Sequence, residues 1–199
     1  MSNVNKKQVR NHFNAVSSFY ERKKRQVYLN LVKGGVGCIP IGRIVDLGCG
    51  TGLALSWFDG EKVGADFSCE LLRQGGHDAD YVVADIEATP FRDSIFDVAL
   101  CLDVAEHLPS LKVIDEAYRI LSPAGVLHFS TADRMFGFII DVLTKLRLKL
   151  PEGPHQWRKT DEIKQKIRLA GFTCRDQLKP PIRFYTATKS NESQPHLPT

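Results

Sequence analysis

VDLGCGTG, Val45–Gly52, is the stretch on which the reading of the chain turns. The apolar run RIVDL (Arg43–Leu47) leads into it, and TGLALSWF (Thr51–Phe58) leads out. A short apolar run, then glycines, then helix-forming residues predicts a strand, a tight turn and a helix. In open parallel sheets, ligands sit beyond the carboxyl ends of the strands, where glycine lets backbone approach without a Cβ in the way. The glycines stand at Gly48, Gly50 and Gly52, and Leu53 occupies the position where a dinucleotide fingerprint starting at Gly48 needs its third glycine. Asp46 precedes the loop, where a pyrophosphate would meet a like charge. The nicotinamide reading is set aside.

Outward from the loop, the pattern alternates. KVGAD (62–66) predicts a second strand, SCELLRQ (68–74) a short helix, YVVAD (81–85) a third strand and FDVALCL (96–102) a fourth. A helix carrying Leu111, Val113, Ile114, Ala117, Ile120 and Leu121 follows, and Pro123–Gly125 turn into the strand VLHFST (126–131). Strands alternating with helices imply right-handed βαβ units and a mainly parallel sheet. Upstream, residues 7–32 read as a helix with the stripe Val9, Phe13, Val16, Tyr20, Val27 and Leu31, and Lys33–Gly42 as a glycine-rich linker. Downstream, Met135–Leu150 is an apolar helix stopped by Pro151, and Glu152–Trp157 is a loop. Thr160 is placed to cap a helix running to Ala170. FTCRDQLK and IRFYTATK form a closing hairpin around Pro180–Pro181. The organisation expected is one domain, 1–189, with a helical cap and linker (1–42), an apolar insertion or lid (134–157) and a polar tail (190–199).

The chain has 199 residues, 43% hydrophobic and 25% charged, with a net charge of +4. That suits one globular domain and excludes disordered, collagenous and disulfide-scaffold classes. Cys38, Cys49, Cys69, Cys101 and Cys174 are an odd set with no C-x-x-C pair, as in a reducing compartment. The polar, basic start and the shortness of FGFII (136–140) predict a cytoplasmic protein. Charge is uneven: residues 1–45 carry nine basic and one acidic side chain, 46–133 five and sixteen, 134–199 thirteen and six. Basic arms suit nucleic acid, anionic lipid or plain solvated helix faces, and an acidic centre suits a cationic ligand.

Three successive strand ends carry Asp46, Asp66 and Asp85. A lone strand-end aspartate often caps the next helix, but three of them beside a glycine loop form a constellation. VDLGCGTG, VGADFS, VADIEATPF, FDVALCLDVAEHL and RILSPAGVLHFST together resemble the ordered motifs of class I S-adenosylmethionine-dependent methyltransferases, type 11 group, over roughly residues 43–131. The resemblance implies a Rossmann-like α/β fold with helices on both faces of a seven-stranded sheet in the order 3-2-1-4-5-7-6, strand seven antiparallel. It also implies S-adenosylmethionine as cofactor. Asp46, Gly48, Cys49, Gly50 and Gly52 would then form the loop under its methionine part, and Asp66 would take the ribose. Phe67 would lie beside the adenine, Asp85 and Ile86 would hold its edge, and backbone near Leu102 would face the methionine end.

The second half, CLDVAEHLPS through LPEGPHQWRKTDEI, resembles the O-methyltransferases of ubiquinone synthesis. It implies a small, lipophilic, phenol- or quinone-like acceptor methylated at oxygen or carbon, with no DNA partner. RNA or protein methylation, and a non-catalytic cofactor-binding accessory role, are the alternatives. That group's Glu-x-x-Glu-His run can hold a divalent metal. The corresponding residues are Asp103, Glu106 and His107; a metal is open but not expected, the other reading being a polar pocket wall. His107 and then His155 are the candidate bases, and Tyr20 and Asp103 the candidate acceptor contacts. Phe136, Ile139, Ile140, Leu143, Leu146 and Leu150 share one helical face, which reads first as lid or core and second as peripheral membrane contact through 135–150.

Overall fold

The computed structural model describes residues 4–16, 30, 34–37, 42–76, 78–137 and 156–190. Seven strands form one sheet: β1 (Gly42–Leu47), β2 (Gly60–Asp66), β3 (Asp80–Val83), β4 (Phe96–Leu102), β5 (Leu121–Ala132), β6 (Phe172–Lys179) and β7 (Ile182–Lys189). Their order is β3-β2-β1-β4-β5-β7-β6, the expected one. β7 runs antiparallel to both neighbours, and every other pairing is parallel. The helices include α1 (residues 6–16), α2 (Cys69–Leu72), α3 (Lys112–Ile120) and α4 (Thr160–Leu169).

The central strands are buried on both faces, so their alternation sorts side chains into two cores instead of core and solvent. Val45, Leu47, Ala99, Cys101, Leu127 and Phe129 face one side, where Ile114, Ala117 and Ile120 of α3 and Ile163 and Ile167 of α4 cover them. Ile44, Val98, Leu100 and Leu102 face the other, with Leu55 and Val36. α3 buries Val113, Ile114, Ala117 and Ile120 at helical spacing. Its buried Glu116 accepts from the Thr89 amide (2.7 Å) and pairs with Arg119 (2.6 Å), which reaches Asp93. That network pins the chain between β3 and β4.

Several local expectations change. The segment after the glycine loop is a five-residue 3-10 helix, Leu53–Trp57, because β2 begins at Gly60 and leaves no length for a full helix. Leu121 and Pro123–Gly125 belong to β5, whose pairing with β4 shifts register between Phe96 and Val98, so the proline falls at an irregularity. Lys159, without a side-chain bond, caps α4; Thr160 is its first residue, and its hydroxyl bonds Tyr185 instead. Within the supposed linker, residues 34–36 are helical, Val36 is buried, and a Cβ on Gly35 would collide with the Phe184 ring. Residues 134–137 are helical, and most of the apolar insertion lies outside the described residues.

Candidate functional site

The sheet order places the carboxyl ends of β1, β2, β3 and β4 around one cavity, on the side of the β1/β4 switch point where parallel sheets hold ligands. Its floor is the loop after β1. Gly48, Gly50 and Gly52 have φ of 83°, 57° and 76°, the left-handed region that favours glycine. The Gly48 amide donates to the Ala65 carbonyl (2.7 Å), which ties the loop to β2. A Cβ at Gly48 would stand 2.6 Å from Val104 Cγ2, so the loop and the β4 turn meet only because the side chain is absent.

Asp66, 5% exposed, is the brace of this floor. Its Oδ2 accepts the Gly50 amide (2.9 Å) and its Oδ1 the Ser68 amide (2.8 Å). Burial raises its pKa against the opposing pull of these amides. Each oxygen retains a further lone pair for a hydroxyl donor. Asp46 is buried beside it, and desolvation plus the neighbouring Asp66 charge push its pKa up to about 7. Two buried carboxylates on one wall suit a cationic ligand, since a nearby positive charge favours the ionised forms. Burial, with the Asp46 and Asp66 charges nearby, also pushes the Cys49 thiol up.

At the β3 end, Asp85 is half-exposed; its Oδ1 accepts the Glu87 amide (3.0 Å) and its Oδ2 the Lys6 ammonium (2.7 Å). Burial alone would raise the Asp85 pKa, but Lys6 and that amide outweigh it and hold the carboxyl below its usual range. Ile86 is buried beside it, and Phe67 follows Asp66 along the same wall. At the β4 end, Leu102 is followed by Asp103, which has φ 54°. The Ser130 hydroxyl donates to Asp103 Oδ1 (2.9 Å) and receives the Asp103 amide (3.1 Å), a reciprocal tie to β5. His107 lies nearby, nearly buried, with the Phe13 ring of α1 edge-on at 5.1 Å and 81°.

The fold thus brings together Asp46, Gly48, Cys49, Gly50, Asp66, Phe67, Asp85, Ile86, Leu102, Asp103 and His107 on one cavity. Gly52 stands apart: a Cβ there would strike the Tyr81 hydroxyl, so this glycine admits β3 packing and does not line the cavity. Tyr20 and His155 lie outside the described residues. Asp103, Glu106 and His107, the set left open to a metal, do not assemble as one. Among the described residues, no group of three His, Cys, Asp or Glu is placed to hold a metal ion. The reason is local: Asp103 precedes the turn in a left-handed conformation, and only Ala105–His107 form a single 3-10 turn. The three side chains therefore do not share a helical face; Glu106 instead accepts from the Thr131 hydroxyl (3.0 Å) and does not line the cavity. Sequence reasoning missed Lys6, which lines the cavity with Val9 and Phe13. The apolar stripe of residues 7–32 held the signal for Val9 and Phe13, whereas nothing local marks Lys6.

The donor set fits an S-adenosyl group: close-approach glycines, buried carboxylates for a ribose and a positive charge, and an acidic residue at the far wall. Residues 45–129 match the methyltransferase domain family model. The ubiquinone biosynthesis O-methyltransferase of Chelativorans sp. (strain BNC1) is 30% identical over 152 residues, 68% of this chain and 60% of that protein. The chain spans 60–66% of the length of the first curated relatives it matches. A solved structure from Thermotoga maritima, described as a SAM-dependent methyltransferase and possible histamine N-methyltransferase, superposes with a TM-score of 0.77. It is 21% identical, and the match covers 92% of this chain and all of that one. The [4+2]-cyclase SpnF shares the fold at TM-score 0.69 and 15% identity, over 92% of this chain and 95% of its own, so fold likeness alone does not set the reaction. Residues 45–129 thus carry a methyltransferase domain, and the sheet as a whole has the fold of solved S-adenosylmethionine-dependent methyltransferases.

Proposed function

We propose that this protein transfers a methyl group from S-adenosylmethionine to a small, lipophilic, phenol- or quinone-like acceptor, at oxygen or carbon. The observation that carries the reading is the single cavity that runs from the glycine loop and two buried carboxylates to an apolar mouth of Val9, Phe13, Val104, His107 and Leu108. When bound, S-adenosylmethionine supplies a methyl already activated on a sulfonium centre. The chain's part is to bind, orient and exclude water. Asp66 and the Gly48–Gly50 backbone hold the nucleoside and amino-acid parts, and Asp85 accepts from the adenine edge. Asp46 offsets the positive charge. A phenol of pKa about 10 is mostly protonated at neutral pH, so a base at the apolar mouth assists. His107 is the described residue suited to take that proton, with Asp103 beside it as a polar contact for the acceptor.

The likeness to ubiquinone-synthesis relatives supports the acceptor class. The described residues contain no helix long and apolar enough to cross a membrane. The test is calorimetric titration with S-adenosylmethionine and S-adenosylhomocysteine, on wild type and Asp66→Ala, then acceptor screens with lipophilic phenols and catechols. Binding lost in the variant and transfer to a phenol, slowed in His107→Ala, are expected. Transfer to RNA or protein in place of phenols would move the acceptor class. Binding without transfer to any acceptor in extracts would make the protein an accessory.

A further inference from the structure

α1 lines the cavity with Lys6, Val9 and Phe13 and touches the loops that follow three different strands. At its start, Lys6 Nζ is 2.7 Å from Asp85 Oδ2 and 2.6 Å from Glu87 Oε2, both after β3. At its end, Asn14 Oδ1 accepts the hydroxyl of Ser68, the residue that caps α2 after β2. Between them, Phe13 meets His107 after β4, and Val9 is buried to 2% exposure. The ionic end differs from an ordinary surface pair. The Glu87 side chain is only 5% exposed, and its other oxygen accepts the Ser110 hydroxyl (2.5 Å). Lys6 thus plugs into a carboxylate held inside the protein, while its second partner, Asp85, is on the cavity wall.

We propose that α1 is a latch on this cavity, closed by the Lys6 bridge to Asp85 and Glu87, and that opening this bridge is the step that admits and releases the cofactor. The proposal rests on the reading of the cavity as an S-adenosyl pocket. The physical argument is positional. A ligand that spans from the glycine loop to Asp85 must pass beneath a helix whose Lys6, Val9 and Phe13 themselves line the cavity. Asn14 and Phe13 contribute a neutral hydrogen bond and a ring contact, so the bridge is the part of the clasp that salt can loosen. Because Glu87 remains paired with Lys6 when Asp85 accepts another donor, the adenine edge can be bound without discarding the ionic contact.

The experiment is stopped-flow dissociation of S-adenosylhomocysteine, from 50 mM to about 500 mM NaCl, on wild type, Lys6→Met and Lys6→Arg. It is paired with hydrogen exchange across residues 8–16 and a thermal melt of each variant. Lys6→Met is expected to release the ligand about two- to fivefold faster, the scale of one partly screened ion pair. It should also lose the salt dependence seen in wild type and exchange α1 amides faster; Lys6→Arg should behave as wild type. Wild type that binds S-adenosylhomocysteine, with Lys6→Met showing the same dissociation rate and the same salt response, overturns the latch. Wild type that fails to bind it brings down the S-adenosyl reading instead. In that case exchange decides the clasp: unchanged α1 protection in Lys6→Met removes it, and lost protection retains it as a cover.

Discussion

The two ends of the cavity are built differently. The end formed by β1 and β2 is backbone: the left-handed glycines Gly48 and Gly50, a carbonyl of Ala65, and Asp66 gripped by the amides of Gly50 and Ser68. The end formed by β4 is side chains brought from afar: Asp103 tied to Ser130, Glu106 to Thr131, and His107 against Phe13. A backbone-built end tolerates little change, because each group has a conformation or an amide that only one residue type satisfies. A side-chain-built end can be altered residue by residue while the scaffold stands, which is where a family would vary what it acts on.

The comparison breaks most visibly at Gly48. Gly48→Val combines a φ of 83° with a collision against Val104. It is expected to abolish S-adenosylhomocysteine binding and to cost about 3 kcal/mol or more of stability. Calorimetry and denaturant melts check both. Asp66→Ala ranks next: it strands the Gly50 and Ser68 amides and removes the ribose acceptor. Binding should fall about 30- to 100-fold, with about 1–3 kcal/mol of stability lost. A drop of less than about threefold would show that the backbone does not depend on its brace.

pH sharpens the contrast without mutation. The folded pKa of Asp46 is raised from 3.8 to about 7, so folding favours its protonated form. Stability of the ligand-free protein should therefore be full below pH 3.8 on this group's account and be lost as pH rises through about 7. Affinity for the cationic sulfonium relative to the uncharged thioether should rise across the same upper limit. Asp46→Asn should flatten both trends, read by melting temperature and competition binding from pH 5.5 to 8.5. Smallest of all, Ser130→Ala removes the reciprocal Ser130 tie to Asp103 at the side-chain end. Cofactor affinity is expected to stay within about threefold, the scale of one hydrogen bond, while acceptor KM rises. A larger loss of cofactor affinity would mean the two ends are one unit.

Much of the cofactor end was legible in the chain. Alternation in RIVDL and FDVALCL marks buried strands, and the glycines and strand-end aspartates mark a site, because these features act on their own backbone neighbours. The helix expected after the glycine loop shrinks to a 3-10 turn, since propensity cannot foresee that β2 starts at Gly60. Asp103, Glu106 and His107 look like a metal triad only if the segment is helical, and the left-handed Asp103 prevents it. Gly52 resembles its loop companions by spacing, yet Tyr81 from β3 is what requires it.

What the sequence determined by itself is the strand order's raw material: which residues alternate, where the chain turns tightly, and which carboxylates end strands. Those properties are set within a few residues by sterics and burial. Only the tertiary structure decided that Lys6 reaches Asp85, 79 positions away, that Phe13 meets His107, and that α1 brings Lys6, Val9 and Phe13 onto the cavity wall. Such contacts depend on how the completed sheet brings its carboxyl ends together, and no local pattern around Lys6 encodes the distance its partner will have.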